Sequence, residues 1–174
     1  MNQAESSIHT PPASPFGFLA LSLAIVAADQ VTKMAILAKL VPRGTVRLIP
    51  GLFDLTFVAN QGALFGFGRE FGGAVRMVAF TILPIAAICF VLLILLKSNR
   101  RELWFRLGLA LILGGAAGNL IDRIRLGFVV DFLDVYWGSH HWPAFNLGDA
   151  SICLGVGLLG LDLFGEQGKA RQAG

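Results

Sequence analysis

Four long apolar segments dominate the chain, and each is long enough to cross a lipid bilayer as a helix. The clearest is residues 77–96, an uncharged run of twenty residues that ends at Lys97. At about 1.5 Å per residue this run covers roughly 30 Å, the hydrocarbon thickness of a bilayer. The other three runs each contain charged residues: they are residues 16–37, 103–121 and 146–164. The pattern predicts a protein with four transmembrane helices.

The composition agrees with a membrane protein and excludes an ordinary soluble domain. Hydrophobic residues make up 55% of the chain and charged residues only 14%, whereas soluble domains carry about 25% charged residues. The net charge of +3 is scattered, and several of the basic residues stand at the ends of apolar runs. Membrane topology explains such charges, so nucleic acid is not predicted as a partner. Cys89 and Cys153 lie inside apolar runs, which predicts buried free thiols.

The charges between the spans predict the orientation of the chain. The short connection between the second and third spans carries a dense basic cluster, which marks it as cytoplasmic; the cluster comprises Lys97, Arg100, Arg101 and Arg106. Both ends of the chain then face the cytoplasm. We therefore expect a disordered cytoplasmic tail over residues 1–15, a single membrane domain over residues 16–164 and a second cytoplasmic tail over residues 165–174. Arginines in the first loop oppose this orientation, but that loop is longer and its charges are more dilute.

The two loops on the outer side cover about residues 39–75 and 123–145. In the first loop Phe53, Leu55 and Phe57 alternate with the more polar Asp54 and Thr56, a period-two pattern typical of a strand. Residues 60–62, Asn-Gln-Gly, then indicate a turn. The expected fold is therefore an all-α membrane protein of four helices, with a small extracytoplasmic β-sheet in the first outside loop.

Acidic residues concentrate near the outer ends of the predicted spans. An ionisable group at membrane depth is costly, so each one is a hypothesis of function. Asp29 and Lys33 stand four apart on the first helix, in the favourable acid-first order, and this spacing predicts a structural ion pair. The other acids at or near the outer ends of the spans are Asp122, Asp131, Asp134 and Asp149.

Two groups of polar residues follow helical spacing. Asn119, Asp122 and Arg123 come directly after the glycine-rich residues 114–118, which permit close helix contact. They share one helical face, and they either position a peptide backbone or bond to one another. Asn146 and Asp149 repeat the spacing of three at the start of the fourth span, where an Asp is also favoured as a helix cap.

Asp131 has surroundings that suit acid–base chemistry. It stands between Val130 and Phe132, and an apolar flank raises the pKa of a carboxyl by desolvation. A second carboxylate nearby would raise one of the two pKa values further. An aspartic protease needs this condition, because one carboxylate must be ionised while the other is protonated at the same pH.

Five segments together resemble the lipoprotein signal peptidase family, also called signal peptidase II. They are Asn-Leu-Ile-Asp-Arg (119–123), Val-Val-Asp-Phe (129–132), Pro-Ala-Phe-Asn-Leu-Gly-Asp (143–149), Asp-Gln-Val-Thr-Lys (29–33) and Asn-Gln-Gly-Ala-Leu-Phe-Gly (60–66). The resemblance covers residues 16–164, in order. Two positions depart from it: the family usually has Ala where Gly148 stands and where Leu64 stands.

The resemblance implies an aspartic endopeptidase of the bacterial inner membrane, with its active site near the periplasmic face. It would cut prolipoproteins on the amino side of a cysteine that carries diacylglycerol, without a metal or other cofactor, and membrane lipids would surround it. The catalytic pair would be Asp131 and Asp149. The residues expected to bind substrate or support the site are Asn60, Asn119, Asp122, Arg123 and Asn146, with Asp29 and Lys33 as a structural pair.

The best alternative from another class is a small transporter or proton channel, since intramembrane acids also suit a proton relay. The acids cluster at one membrane face rather than forming a path across it, which favours the protease. Other protease chemistries have weaker support: the adjacent His140 and His141 are a poor metal site, and Ser151 has no nearby base in the sequence. Asp134 is assigned to the outer loop rather than to the catalytic pair.

Overall fold

Five helices and four strands make up the part of the chain that this computed structural model describes, which is residues 14–62, 72–98 and 103–172. The helices are α1 (Phe16–Lys39), α2 (Gly73–Met77), α3 (Leu83–Lys97), α4 (Leu103–Leu126) and α5 (Leu147–Gln172). The strands are β1 (Val46–Ile49), β2 (Phe53–Asn60), β3 (Val129–Trp137) and β4 (His140–His141). A π-helical segment, Val78–Ile82, joins α2 to α3 without a break.

Four helical stretches within these ranges are long and apolar enough to cross a membrane: Phe16–Lys39, Gly73–Lys97, Leu103–Leu126 and Leu147–Gly165. Their outer faces expose large apolar side chains, such as Leu23, Phe90 and Leu161, each at least 64% exposed. Water would penalise such surfaces, whereas lipid tails solvate them. The chain is therefore a multi-pass membrane protein, as the apolar pattern predicts.

Several details differ from the sequence-based expectation. Helix α5 continues to Gln172, beyond the predicted end of the fourth span at residue 164. The second span begins with α2 and passes through the π-helical segment just before Pro84. Proline lacks a backbone N–H, and a π-helical turn beside it is a common adjustment of the hydrogen-bond ladder. Cys89 and Cys153 are free thiols but exposed, so the predicted burial inside the protein is wrong.

Close backbone contacts hold α1, α4 and α5 together. Gly114 of α4 lies against Ser22 and Ile25 of α1, and the Ser22 hydroxyl donates a hydrogen bond to the Ala110 carbonyl oxygen at 2.9 Å. Glycines oppose each other across α4 and α5, where Gly108 meets Gly155 and Gly115 meets Gly148. Small residues allow helices in a membrane to approach at backbone distance. The contact positions show that α4 runs parallel to α1 and antiparallel to α5.

The β-strands form one antiparallel sheet in the order β1-β2-β3-β4. The alternating residues 53–57 lie in β2, so the predicted strand in the first loop is confirmed. The prediction placed the whole sheet in that loop, but β3 and β4 come from the second loop, between α4 and α5. In the β2–β3 register Asn60 is opposite Val129 and Val58 is opposite Asp131.

The sheet is anchored on the outer end of α1. Val130 and Phe132 of β3 pack against Ile36 and Leu40 of α1 in a buried apolar cluster. Removing such side chains from water or from lipid head groups stabilises the contact by about 1.5–3 kcal/mol each. This contact holds β3 where α1 and α4 end and α5 begins, so it brings the acids of three elements to one end of the helix bundle.

Candidate active site

Asn146 and Asp149 cap the first turn of α5 reciprocally. The Asp149 backbone N–H donates to the Asn146 side-chain oxygen at 2.9 Å, and the Asn146 backbone N–H donates to Asp149 Oδ2 at 3.1 Å. This is the arrangement of a capping box, in which each residue satisfies a backbone donor of the other. The carboxylate of Asp149 is therefore fixed at the positive end of the α5 dipole.

Asp131 projects from β3 and is held by two amides. Its side chain accepts hydrogen bonds from Asn60 Nδ2 at 2.9 Å and from Asn146 Nδ2 at 2.7 Å. The residue is only 1% exposed. Asn146 consequently links the two acids, because its Nδ2 donates to the Asp131 carboxylate while its Oδ1 accepts from the Asp149 backbone N–H.

The buried position of Asp131 raises the pKa of its carboxyl to about 7. Desolvation is the main cause, and the negative charge of Asp149 adds to it. The hydrogen bonds from Asn60 and Asn146 and the charge of Lys33 act in the opposite direction. Near neutral pH the Asp131 carboxyl therefore exchanges its proton readily.

Asn119 of α4 holds the other carboxylate. Its Nδ2 donates to Asp149 Oδ1 at 2.8 Å, while its Oδ1 accepts from Lys33 Nζ at 2.8 Å and from Asn146 Nδ2 at 3.1 Å. A lysine ammonium only donates hydrogen bonds. The side-chain oxygen of Asn119 must therefore face Lys33, and its NH₂ group must face Asp149.

Lys33 is the centre of a buried charged network on α1. Besides Asn119, its ammonium contacts Asp29 Oδ2 at 2.8 Å and Asp122 Oδ2 at 2.9 Å. All three of its donors are thus directed at an oxygen, and the residue is only 2% exposed. The predicted Asp29–Lys33 pair is present in the structure, but Asp122 joins it as a third charged member.

The two acids of this network also hold backbone groups of neighbouring elements. Asp29 Oδ1 accepts from the Gly148 N–H at 2.9 Å, and Asp122 Oδ2 accepts from the Val130 N–H at 3.1 Å. Gly148 precedes Asp149, and Val130 precedes Asp131. Each acid of the Lys33 network therefore fixes the backbone immediately before one of the two carboxylates, Asp149 or Asp131.

Arg123 borders the site on the side of α2 and the π-helical segment. Its guanidinium lies 3.5 Å from the Gly62 carbonyl oxygen and 5.8 Å from the centre of the Phe80 ring. It lines a cavity of about 170 Å³ between α2, the π-helical segment and α4, together with Asn60. An arginine at this point supplies fixed positive charge and hydrogen-bond donors beside the two carboxylates.

The structure brings eight of the nine predicted site residues into one hydrogen-bonded assembly, and the ninth, Arg123, stands beside it. Sequence reasoning missed Gln30, which donates to Asp122 Oδ1 at 2.9 Å and accepts from Arg125 at 3.3 Å. Its position beside Asp29 was the available signal. Gly148 fits tightly, because a Cβ there would lie 2.9 Å from the Gly115 carbonyl oxygen. Leu64, the other departure, is outside the described residues.

Asp134 is separate from this assembly. It lies on β3 rather than in an irregular loop, and its carboxylate contacts His141 Nδ1 at 2.9 and 3.0 Å. Within residues 14–62, 72–98 and 103–172, no three His, Cys, Asp or Glu side chains are grouped in a way that could hold a metal ion.

The chain is similar to known proteins over most of its length. The profile of a family described as "Signal peptidase (SPase) II" matches residues 21–165. A protein of Geobacter metallireducens named "Lipoprotein signal peptidase" is 44% identical over 149 residues, which cover 85% of this chain and 88% of the relative. A protein of the same name from Burkholderia mallei is 47% identical over 145 residues, covering 82% and 84%.

Solved structures agree with these sequence relatives. One, titled as a bacterial membrane enzyme structure, superimposes with a TM-score of 0.77 at 28% identity and covers 87% of this chain and 90% of its own. A second with a title of the same kind has a TM-score of 0.73 at 27% identity, with 85% and 92% covered. The four-helix bundle with its small sheet is therefore an enzyme architecture that is already known in bacteria.

Proposed function

Because the chain belongs to the signal peptidase II family and removes signal peptides from prolipoproteins, we propose that it does so as an aspartic endopeptidase. Asp131 and Asp149 are the proposed catalytic pair. The observation that carries this proposal is that the Asn146 side chain bonds to both residues, donating to the carboxyl of one and accepting from the backbone of the other. Two acids held by one amide group at the end of the bundle can share a proton across a substrate bond.

The surroundings of the two carboxylates support different roles for them. Asp149 is in the first turn of α5, where its carboxylate accepts hydrogen bonds from Asn119 Nδ2 and from the Asn146 backbone N–H at the positive end of the helix dipole. Asp131 is buried, and its pKa of about 7 keeps its carboxyl protonated in a large share of molecules near neutral pH. We therefore assign Asp149 as the general base and Asp131 as the general acid.

Peptide hydrolysis by this pair proceeds through a tetrahedral intermediate. Asp149 takes a proton from a water molecule while the water oxygen bonds to the scissile carbonyl carbon, and Asp131 donates its proton to the carbonyl oxygen. The intermediate then collapses, the C–N bond breaks, and the proton held by Asp149 goes to the leaving amine. Asp131 recovers a proton from the hydroxyl of the new carboxylic acid, so the pair returns to its starting state.

The proposed substrate is a prolipoprotein whose cysteine carries diacylglycerol, cleaved on the amino side of that cysteine. Two acyl chains would keep the cysteine close to the membrane surface. The position of the two acids where α4 ends and α5 begins, at the ends of two membrane-spanning helices, supports cleavage near that surface. The membrane lipids around the exposed apolar helix faces are then the medium through which the substrate arrives.

The proposed location is the bacterial inner membrane, with both termini in the cytoplasm and the dyad near the periplasmic face. The basic cluster between α3 and α4 supports this orientation, because cytoplasmic loops are enriched in Lys and Arg. Since α1 and α4 run parallel and α5 runs antiparallel to them, Asp131 and Asp149 are at the opposite end of the bundle from the start of α4, which adjoins that cluster in the sequence.

A proton channel or transporter has less support. A proton relay needs ionisable groups in sequence across the membrane. The bonded network of Asp29, Asp122, Asp131 and Asp149 instead stays at one end of the bundle. The arrangement therefore suits chemistry at a surface better than conduction through the protein.

Conservative removal of either acid tests the dyad. We expect Asp131→Asn and Asp149→Asn each to lower the rate of precursor cleavage by about a thousandfold or more, because each takes away one half of the acid–base pair. The measurement is cleavage of a diacylglyceryl-modified precursor by the purified proteins in detergent.

The matched control is Asp134→Asn, which makes the same chemical change three residues from Asp131 on the same strand. Its effect on cleavage should be much smaller. Thermal unfolding of all three variants checks that they fold. Substantial turnover by either dyad variant would refute the proposal.

A further inference from the structure

A second cavity, of about 430 Å³, lies on the sheet beside the dyad. We call it the sheet pocket; it is lined by Thr56 and Val58 of β2, Asp134 of β3, and His141, Trp142 and Ala144 of the segment that leads to α5. None of these residues belongs to a membrane-spanning helix. The sheet pocket therefore opens to the aqueous side of the membrane surface.

The lining of the sheet pocket contains both polar and apolar side chains. The Asp134 carboxylate is bonded to His141, whose ring stacks on Tyr136 with the ring centres 4.8 Å apart and the planes 15° apart. This stacking holds the imidazole in place beside the carboxylate. The lining also includes the apolar side chains of Val58, Trp142 and Ala144.

Residues that line the sheet pocket are close in sequence to residues that bind Asp131. Val58 is two residues before Asn60 on the same strand, and Ala144 is two residues before Asn146; both asparagines donate to Asp131. Along β3, Asp134 is three positions after Asp131, a distance of about 10 Å in a strand. An extended peptide that leaves the dyad along the sheet therefore crosses the sheet pocket within about three residues.

The other cavity at the dyad takes most of its lining from the membrane-spanning helices. The cavity at Arg123 is lined by residues of the spans, among them Met77, Phe80 and Thr81. A prolipoprotein has two halves of opposite character: the signal peptide is apolar, and the mature polypeptide continues into water. The mature half is assigned to the sheet pocket because that pocket lies outside the spans, on the sheet next to the two acids.

We propose that the sheet pocket binds the mature side of the substrate, the first few residues after the lipidated cysteine, in extended conformation. This inference rests on the proposed function and adds a specificity-determining subsite to it. The Asp134 carboxylate would favour a lysine, arginine or hydroxyl side chain in the second to fourth position after the cysteine and would disfavour an acidic one. The apolar side chains of the lining would contact the methylene groups of that substrate side chain.

The first experiment fills the pocket. Thr56→Trp places an indole in the sheet pocket, whereas Thr45→Trp places the same group outside it; the two threonine hydroxyls are bonded to each other at 3.2 Å, so both variants lose the same hydrogen bond. Cleavage is measured with two diacylglyceryl peptides, one with six residues after the cysteine and one with a single residue. We expect Thr56→Trp to lower the ratio of kcat/KM for the long peptide to that for the short peptide by about tenfold, and Thr45→Trp to leave this ratio unchanged.

The second experiment tests whether the Asp134 carboxylate selects for a basic residue in the substrate. Long peptides with Lys or Glu at each of the second, third and fourth positions are compared, and we expect the wild-type protein to prefer Lys by about fivefold at one of them. Asp134→Asn should remove most of this preference, whereas His140→Ala, a change on the neighbouring exposed residue, should keep it.

The outcomes separate the sheet pocket from the dyad. Equal long-to-short ratios in wild type and Thr56→Trp, or an unchanged Lys preference in Asp134→Asn, would overturn the subsite. Cleavage of the short peptide by Asp131→Asn would overturn the aspartic mechanism instead, since that peptide does not reach the sheet pocket.

Discussion

At the scale of single residues, the proton of Asp131 is the property most sensitive to its surroundings. Burial and the charge of Asp149 raise its pKa, and the hydrogen bonds from Asn60 and Asn146 limit that rise. The role that we propose for Asp131 requires the protonated form. The activity of the free enzyme therefore depends on how these opposing effects balance.

The pH profile of cleavage follows from this balance. The Asp131 carboxyl is protonated below its pKa of about 7, so kcat/KM should fall as pH rises through about 7, by about tenfold per pH unit beyond it. In Asn60→Ala the descending limb should move to higher pH, because the lost hydrogen bond lowers the pKa in the wild-type protein. Initial rates between about pH 5.5 and 9 measure both effects, and a profile that stays flat over that whole range would contradict the assignment of Asp131 as the acid.

Lys33 acts on the dyad through the orientation of Asn119. Lys33→Met removes the cation from two buried carboxylates, Asp29 and Asp122, and leaves the Asn119 amide free to rotate away from Asp149. We expect the variant to lose cleavage activity and to be destabilised by about 3–5 kcal/mol, the usual result of breaking a buried ion pair. Lys39→Met, at the exposed end of the same helix, is the matched control. Thermal unfolding and cleavage are measured together, and similar behaviour of the two variants would argue against the network.

At the scale of secondary-structure elements, the separation of α4 and α5 determines the geometry of the site. Gly115 and Gly148 meet across this contact. Gly115 is one turn before Asn119, and Gly148 is next to Asp149, so the 2.8 Å hydrogen bond between Asn119 and Asp149 depends on how closely the two helices approach.

A single methyl group tests this dependence. In Gly115→Ala the new Cβ would collide with the Gly148 carbonyl oxygen, so α4 and α5 must move apart. We expect cleavage to fall by at least about tenfold, since a displacement near 1 Å is costly in catalysis. Gly157→Ala, on α5 with no other atom within 4 Å of the added carbon, should retain activity. Cleavage rates and unfolding temperatures are measured for both variants. Equal activities would show that cleavage does not require the close approach of α4 and α5.

At the scale of the whole molecule, the elements that reside in lipid were the easiest to predict from sequence. An uninterrupted apolar run such as residues 77–96 is long enough to span a bilayer and too apolar for a helix surrounded by water. The alternation of residues 53–57 likewise indicated β2 correctly. Strand β3 was not predicted, because Val129 and Val130 are adjacent and interrupt the alternation that identifies a half-buried strand. This strand is buried on both sides at its start, so its pattern is that of an apolar run.

The composition of the site was more predictable than its connections. Spacings of three and four placed Asn119 beside Asp122, and Asn146 beside Asp149, within single helices. The contacts of Lys33 with Asp122 and Asn119 depend instead on the register between α1 and α4, which small residues set through packing. A single sequence does not show that register. It likewise does not show that the Gly148 and Val130 N–H groups donate to Asp29 and Asp122.

The contribution of both outer loops to one sheet has a consequence for how the protein is made. Asp131 emerges from the ribosome after the third span, and Asp149 comes only with the last one, so the two carboxylates have no common surroundings until the final helix has entered the bilayer and β3 has paired with β2. With Asp131 and Asp149 as the proposed catalytic pair, a growing chain that still lacks α5 holds only one of the two carboxylates. We therefore expect the ability to cleave to arise only after the last helix has been inserted.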